Sequence, residues 1–236
     1  MNPLLRRWLQ IAILLLLAAA AVRLVIVFRE RSAAPPATKV EAPPLDADYY
    51  VVPKKLHDYD VASLRQDLVG RAVWIREGYR YAIYPVDAAG RHVDFQHEAG
   101  TAGPIEKLAI TAVLTAPTPG SPGQQQVLAV FHRGDTAFAL PVGVLKGQNA
   151  TLYADEVFFY DDPRQLYKHW PAEVWEAVAR HQVQRGMNEV QASLAVGMGI
   201  PEASAPGADK TVHYPNGGHP LTVTYRNGRA IQVAPE

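Results

Sequence analysis

The spacing of apolar positions changes character three times along the chain. From Trp8 to Phe28 the residues are apolar with only Gln10 and Arg23 as exceptions. From Val61 to about Tyr160, apolar and polar residues alternate in short runs broken by turn formers. From Pro171 the spacing lengthens to that of helices, and it returns to alternation after residue 210.

As a helix rising about 1.5 Å per residue, the first run is roughly 31 Å long, close to the hydrocarbon thickness of a bilayer. Arg6 and Arg7 ahead of it favour an N-terminus left in the cytoplasm. Arg23 lies near enough to the far end to snorkel to the headgroups. The pattern predicts a transmembrane helix in an anchor over residues 1–31, contacting the membrane through residues 8–28. A cleaved signal peptide is the competing reading, because Ile11 to Val22 alone serves as an h-region and Ala18 to Ala21 offers an A-x-A site. The anchor implies a single-pass inner-membrane protein with its C-terminal domains outside the cytoplasm, and the signal peptide implies secretion after cleavage near Ala21. Residues 32–60 follow as a tether, with Pro35, Pro36, Pro43 and Pro44 favouring a semi-extended chain.

Residues 61–168 read as a β-rich domain. Val73 to Ile75, Tyr79 to Val86, His92 to Phe95 and Leu108 to Leu114 have the length and composition of strands. In the last of these, Leu108, Ile110, Ala112 and Leu114 form one face of a period-two pattern. Val127 to His132 and Thr136 to Val144 flank a tight hairpin at Arg133-Gly134-Asp135, while Ala116 to Gln126, with three prolines and two glycines, reads as an exposed loop. Short strands at this spacing suggest a small barrel or sandwich.

Residues 169–236 have a different texture. Pro171 suits the first turn of a helix, and Val174, Trp175, Val178 and His181 or Gln182 recur at helical spacing up to a stop at Gly186. Asn188 and Gln191 have the spacing of a capping box for a second helix, with Val190, Leu194 and Ala195 as its buried stripe and Gly197 as its end. Three strands follow, Thr211 to Tyr214, Leu221 to Tyr225 and Ala230 to Val233, the last two joined by Asn227-Gly228.

Gly186-Met187-Asn188-Glu189-Val190, followed by Leu194, Gly197 and Pro201, resembles the signature of BamE-like (SmpA/OmlA) domains, and 221–229 resembles their closing hairpin. The resemblance covers roughly residues 170–236. It implies an α-α-β-β-β two-layer sandwich in an extracytoplasmic setting. The chain departs from that family in having no cysteine to lipidate, a link after the second helix about two residues longer, and a β-rich body ahead of the domain. The fold class expected overall is therefore α+β: a transmembrane helix, a small β-rich barrel or sandwich, and the two-layer sandwich.

Composition narrows the chemistry. The chain is formally neutral, but residues 1–31 hold five arginines and one glutamate, leaving 18 basic and 22 acidic residues elsewhere, a net charge of −4. No basic stripe remains for nucleic acid. The absence of cysteine excludes disulfides, thiolate metal sites and cysteine nucleophiles. Arg133-Gly134-Asp135 spells the integrin-binding tripeptide, although a hairpin turn accounts for it. His92, Asp94, His97 and Glu98 are metal-ligand types, but along a strand His97 faces away from His92 and Asp94. Asp155, Glu156, Asp161 and Asp162 lack the spacing of a calcium loop, and Asn149-Ala150-Thr151 fits a glycosylation sequon. No P-loop, dinucleotide fingerprint or nucleophile elbow is present.

The sequence thus nominates no catalytic, cofactor-binding or metal-binding residue. The residues that suggest an interaction surface are Tyr160, Tyr167, Trp170, His213 and Tyr214, although the aromatic group they form with Trp175 equally suits a contact between domains. The function expected is a non-catalytic scaffold in the bacterial cell envelope that binds other envelope proteins. An inhibitor or sensor module, sharing the sandwich topology of a secreted β-lactamase inhibitor, is the alternative, and an envelope hydrolase with a site assembled from scattered residues is the third.

Overall fold

The computed structural model describes residues 3–32, 46–203 and 209–236. Contacts divide the chain into two units, Met1–Leu45 and Asp46–Glu236. In the first, helix α1 runs Pro3–Ser32, with Leu16, Val22, Leu24 and Phe28 exposed. Among the described residues no helix is long and apolar enough to cross a membrane. The expected transmembrane anchor is corrected accordingly. The stretch 15–29 of α1 carries both Arg23 and Arg29, and charged side chains within a spanning segment are costly. The prolines of the expected tether, Pro35, Pro36, Pro43 and Pro44, lie outside the described residues.

The second unit has mixed α and β content built on three antiparallel sheets, and this replaces the expected fold class with its spanning helix. It opens with a 3-10 turn, Ala47–Tyr50, followed by α2 (Val61–Leu68), β1 (Ala72–Ile75), β2 (Tyr84–Pro85) and β3 (Lys107–Ala109). Next come β4 (Ala112–Pro117), β5 (Gln124–Arg133), β6 (Thr136–Lys146), β7 (Asn149–Leu152), a single turn α3 (Ala154–Val157) and β8 (Phe158–Phe159). The chain closes with α4 (Pro163–Leu166), α5 (Ala172–Ala179), α6 (Glu189–Val196), β9 (Ile200–Pro201), β10 (Lys210–Tyr214), β11 (Leu221–Arg226) and β12 (Arg229–Pro235). One sheet has the order β3-β1-β8, a second β2-β6-β5-β4 with β7 also on β6, and a third β12-β11-β10-β9.

The run from Leu108 to Leu114 is two strands in two sheets rather than one. Beyond Ala109 the Ile110 amide donates to the Arg71 carbonyl and the Thr111 amide to that of Val130, so the ladder passes from β1 to β5. The inward face changes parity at that point. Leu108 and Ile110 enter the same core as Val113, whereas Ala112 and Leu114 pack against a separate small cluster around Leu128 and Val130. The α2 helix was not legible in the alternating pattern; Asp60 caps it by accepting the Ser63 amide at 2.8 Å, and Leu64 and Leu68 bury its inner face.

In the C-terminal part, α5 stops at Ala179, well before Gly186, because His181 adopts a left-handed conformation at φ 53°. The α6 start is the capping box: Gln191 N–H donates to Asn188 Oδ1 and Asn188 N–H to Gln191 Oε1, both at 2.9 Å. Gly197 ends α6 at φ 87°, where a Cβ would stand 2.5 Å from the Gly78 carbonyl oxygen. Asn227 and Gly228 both have positive φ, as the two-residue hairpin between β11 and β12 requires. The short β9 adds a fourth strand to the three expected.

Two main cores result. One gathers α2, the inward faces of β4, β5 and β6, and Val73, Ile75, Leu108 and Phe158. The other lies between α5, α6 and the β9–β12 sheet, and takes in Phe159 and, at its edge, Trp74. The β3-β1-β8 sheet stands between them, since successive residues on a strand face opposite ways. Leu194 sits deep in the second core, 4 % exposed. Leu194→Ala is expected to lower stability by about 2–5 kcal/mol, read from urea unfolding midpoints. A midpoint equal to wild type would remove Leu194 from that core.

Candidate functional site

The segment between Asp46 and Asp60 forms a strap fixed at both ends and exposed in its middle. Asp48 anchors the first end. Its carboxylate accepts from Trp170 Nε1 and His169 Nε2, each at 2.6 Å, through Oδ1, and from Asn188 Nδ2 through Oδ2. A buried carboxylate is tolerated only with partners of this kind. Asn188 therefore does two tasks, capping α6 through its oxygen and holding the strap through its nitrogen. Asp46 alongside pairs with Arg229. Burial alone would raise the Asp46 carboxyl, but the Asp48 amide, the Arg229 charge and the Asn188 side chain together hold it below the usual carboxylate range.

The second end is held by Asp155, at the start of α3, whose carboxylate accepts the Leu56 amide at 2.9 Å and the His57 amide at 3.1 Å. His57 takes a left-handed conformation, φ 57°, to present that amide. Burial works to raise the Asp155 carboxyl and these two amides outweigh it, so the group lies below its ordinary value. The buried Tyr160 hydroxyl faces it without a well-formed hydrogen bond; burial first, then the Asp155 carboxylate, push that phenol's ionisation up.

Between the anchors Val51 packs on the second core and Leu56 on the first. Tyr49, Tyr50 and Val52 point outward, 74 %, 72 % and 84 % exposed, and Tyr59 beyond them is equally open. Lys54 and Lys55, also exposed, add positive charge along the strap.

The five residues nominated from the sequence are not brought together on one surface. Tyr160 is buried in the first core, and Tyr167, Trp170 and Tyr214 are buried in the second. Tyr167 stacks on Trp170 at 4.4 Å between ring centroids, and Trp170 packs on Trp175 at 5.0 Å. The Tyr214 and Tyr225 hydroxyls meet at 2.8 Å, and burial pushes Tyr214 up to about 12. His213 alone is accessible, half-buried on β10. It contacts Glu236 at 2.6 Å and Thr222 at 3.0 Å, and Glu202 lies 3.8 Å away. Sequence reasoning missed the strap tyrosines; the signal was two adjacent aromatics following an Asp-x-Asp with no alternation to bury them.

The other chemical candidates resolve into local contacts. Arg133 of the hairpin tripeptide is engaged by Glu106 through two bonds, at 2.8 and 2.7 Å. Asp94 and His97 pair at 2.7 Å on an exposed turn. Among the described residues, no three histidine or carboxylate side chains are placed to hold a metal ion. Asp155 holds the strap, and Asp162 caps α4. An open groove of about 710 Å³ runs beside Val233 and Pro235, with His181, His219 and Glu236 at its walls. No family model, curated protein or solved structure matches this chain.

Two measurements check this geometry. Asp48→Ala leaves the Trp170 and Asn188 donors unpaired in the interior and is expected to cost at least about 1–3 kcal/mol, seen as a lowered unfolding midpoint. For His213, the hydrogen bond to Glu236 raises the imidazole above its ordinary value. Its stabilising contribution is therefore full below about pH 6.5 and fades as the pH rises through the folded-state value. An NMR titration of the His213 ring is expected to give a midpoint above that of a free histidine, and Glu236→Gln is expected to bring it back down.

Proposed function

We propose that this protein is a non-catalytic protein-binding module working outside the cytoplasm, and that the strap is its contact surface. The observation that carries the reading is the exposure of Tyr49, Tyr50 and Val52 on backbone pinned at Asp48 and at Leu56-His57. Exposed aromatic side chains on fixed backbone lose little conformational entropy when a partner covers them, and tyrosine is among the residues that dominate binding energy at interfaces. Lys54 and Lys55 beside them favour a partner face that is apolar at its centre and acidic at its rim.

The setting rests on residues 1–31. Two arginines ahead of an apolar segment with a small-residue site at Ala18 to Ala21 suit an export signal, which needs only a 7–15-residue apolar centre. The resemblance of 186–229 to BamE-like envelope domains supports the same setting. The partner is then an envelope protein.

A photo-crosslinking residue placed in turn at Tyr50, Val52 and Tyr59, in cells of the source organism, tests this. The expected result is one discrete adduct shared by Tyr50 and Val52 and absent from a control at Asp135, on the hairpin between β5 and β6. Tyr50→Ala is expected to abolish the adduct formed at Val52 while shifting stability by no more than about 0.5 kcal/mol. An absent adduct, or one equally strong at Asp135, would overturn the assignment.

A further inference from the structure

We propose that the second unit also carries a binding site for a small oxyanion, a carboxylate or phosphate group, in the pocket over Trp74. That pocket, about 190 Å³, is walled by Trp74 and Ile105 on one side and by Asp162, Pro163 and Arg164 on the other. Its volume is that of roughly six waters in the liquid, so it admits an oxyanion with part of its hydration.

Three cations converge on this face of the β3-β1-β8 sheet. Lys107 is the register partner of Trp74 in β3, and its Nζ stands 5.3 Å from the indole centre. Arg76, two residues on from Trp74, lies over Phe159, the partner of Trp74 in β8, at 5.6 Å, and donates to the Asp155 carbonyl at 3.3 Å, so it adds charge to the face without lining the pocket. Arg164 enters from α4 with its guanidinium 5.9 Å from the Trp175 ring. Among the described residues none of the three has a carboxylate within ion-pairing distance. Arg80, Arg133, Lys210, Arg226 and Arg229 each have one. The single acid in the wall, Asp162, is turned to its own chain, accepting the Arg164 amide at 2.9 Å.

These three side chains gather positive charge on one sheet face of a body whose net charge is −4. The backbone adds an independent sign. Ile105 holds φ at 47°, a conformation that β-branched residues rarely adopt. Its amide is fixed by the Ile75 carbonyl at 3.0 Å, and strain of this kind gathers at binding sites. The Arg164 fork matches two oxygens of a carboxylate or phosphate, Lys107 supplies a point charge, and the indole gives a flat wall that lowers the local dielectric.

The indole N–H resonance of Trp74, assigned with Trp74→Phe, reports on the pocket in the 236-residue chain. Inorganic phosphate and acetate are titrated separately at constant ionic strength set with sodium chloride. The expected result is a saturable shift with at least one of them, weakened about tenfold or more by Arg164→Gln and by Lys107→Gln, as loss of a charge-assisted hydrogen bond implies. Lys107→Arg is expected to retain binding, and the unfolding midpoints of all three variants are expected to match wild type. No saturable shift with either anion, a shift that chloride alone reproduces, or one unchanged in both glutamine variants would overturn the site.

Discussion

The alternation of side chains across one three-stranded sheet organises the whole second unit. Val73 and Ile75 face one way and Trp74 the other; Phe158 and Phe159, adjacent in β8, enter different cores. A strand turns consecutive residues to opposite faces, so a four-residue strand and a two-residue strand are enough to separate two hydrophobic interiors. Neither core could then be removed without stripping one face of this sheet. The exposed features described above also depend on it. The pocket is the outer margin of its Trp74 face, and the strap runs from the core on one side to the core on the other.

Charged groups in the interior serve placement more than stability. Asp48 is desolvated and accepts three hydrogen bonds, an arrangement that roughly offsets its own burial. What it provides is position: an indole, an imidazole and a helix-capping amide converge on one carboxylate and leave the strap a single register. Asp155 repeats the device with two backbone amides. Both strap anchors are aspartates, whose short side chain fixes its oxygens relative to the backbone more tightly than glutamate can.

Much of the C-terminal part was legible in the sequence because its signals are local. The Asn188–Gln191 box, the Gly197 stop and the Asn227-Gly228 turn are fixed by contacts within a few residues, and each is formed as read. Elsewhere the decisive contacts are distant. Leu108 to Leu114 has the pattern of one strand, and only its two partners, β1 and β5, show where it breaks. The α5 boundary was misread because Gly186 is a stronger local signal than a histidine in left-handed conformation. Tyr167 and Trp170 were nominated as surface residues on composition; both pack in the second core, and Trp170 donates to Asp48, 122 positions earlier, which no local pattern links to it. The apolar N-terminal run was read from its length, its apolar composition and its flanking arginines, and among the described residues no helix is long and apolar enough to cross a membrane.

The separation of the strap from its anchors has a consequence for the order of assembly. Asp48 and Asn188 are 140 positions apart, and Leu56 and Asp155 are 99 apart. Contacts this remote raise the contact order and form after the local hairpins. On a ribosome adding residues from the N-terminus, the Tyr49-Tyr50 segment emerges long before α6 exists to hold it. It stays loose until the last quarter of the chain is made, then is drawn in as both clasps close. Presentation of the tyrosines is thereby tied to synthesis through α6: a polypeptide cut short before Asn188 carries the same residues without the fixed backbone that displays them.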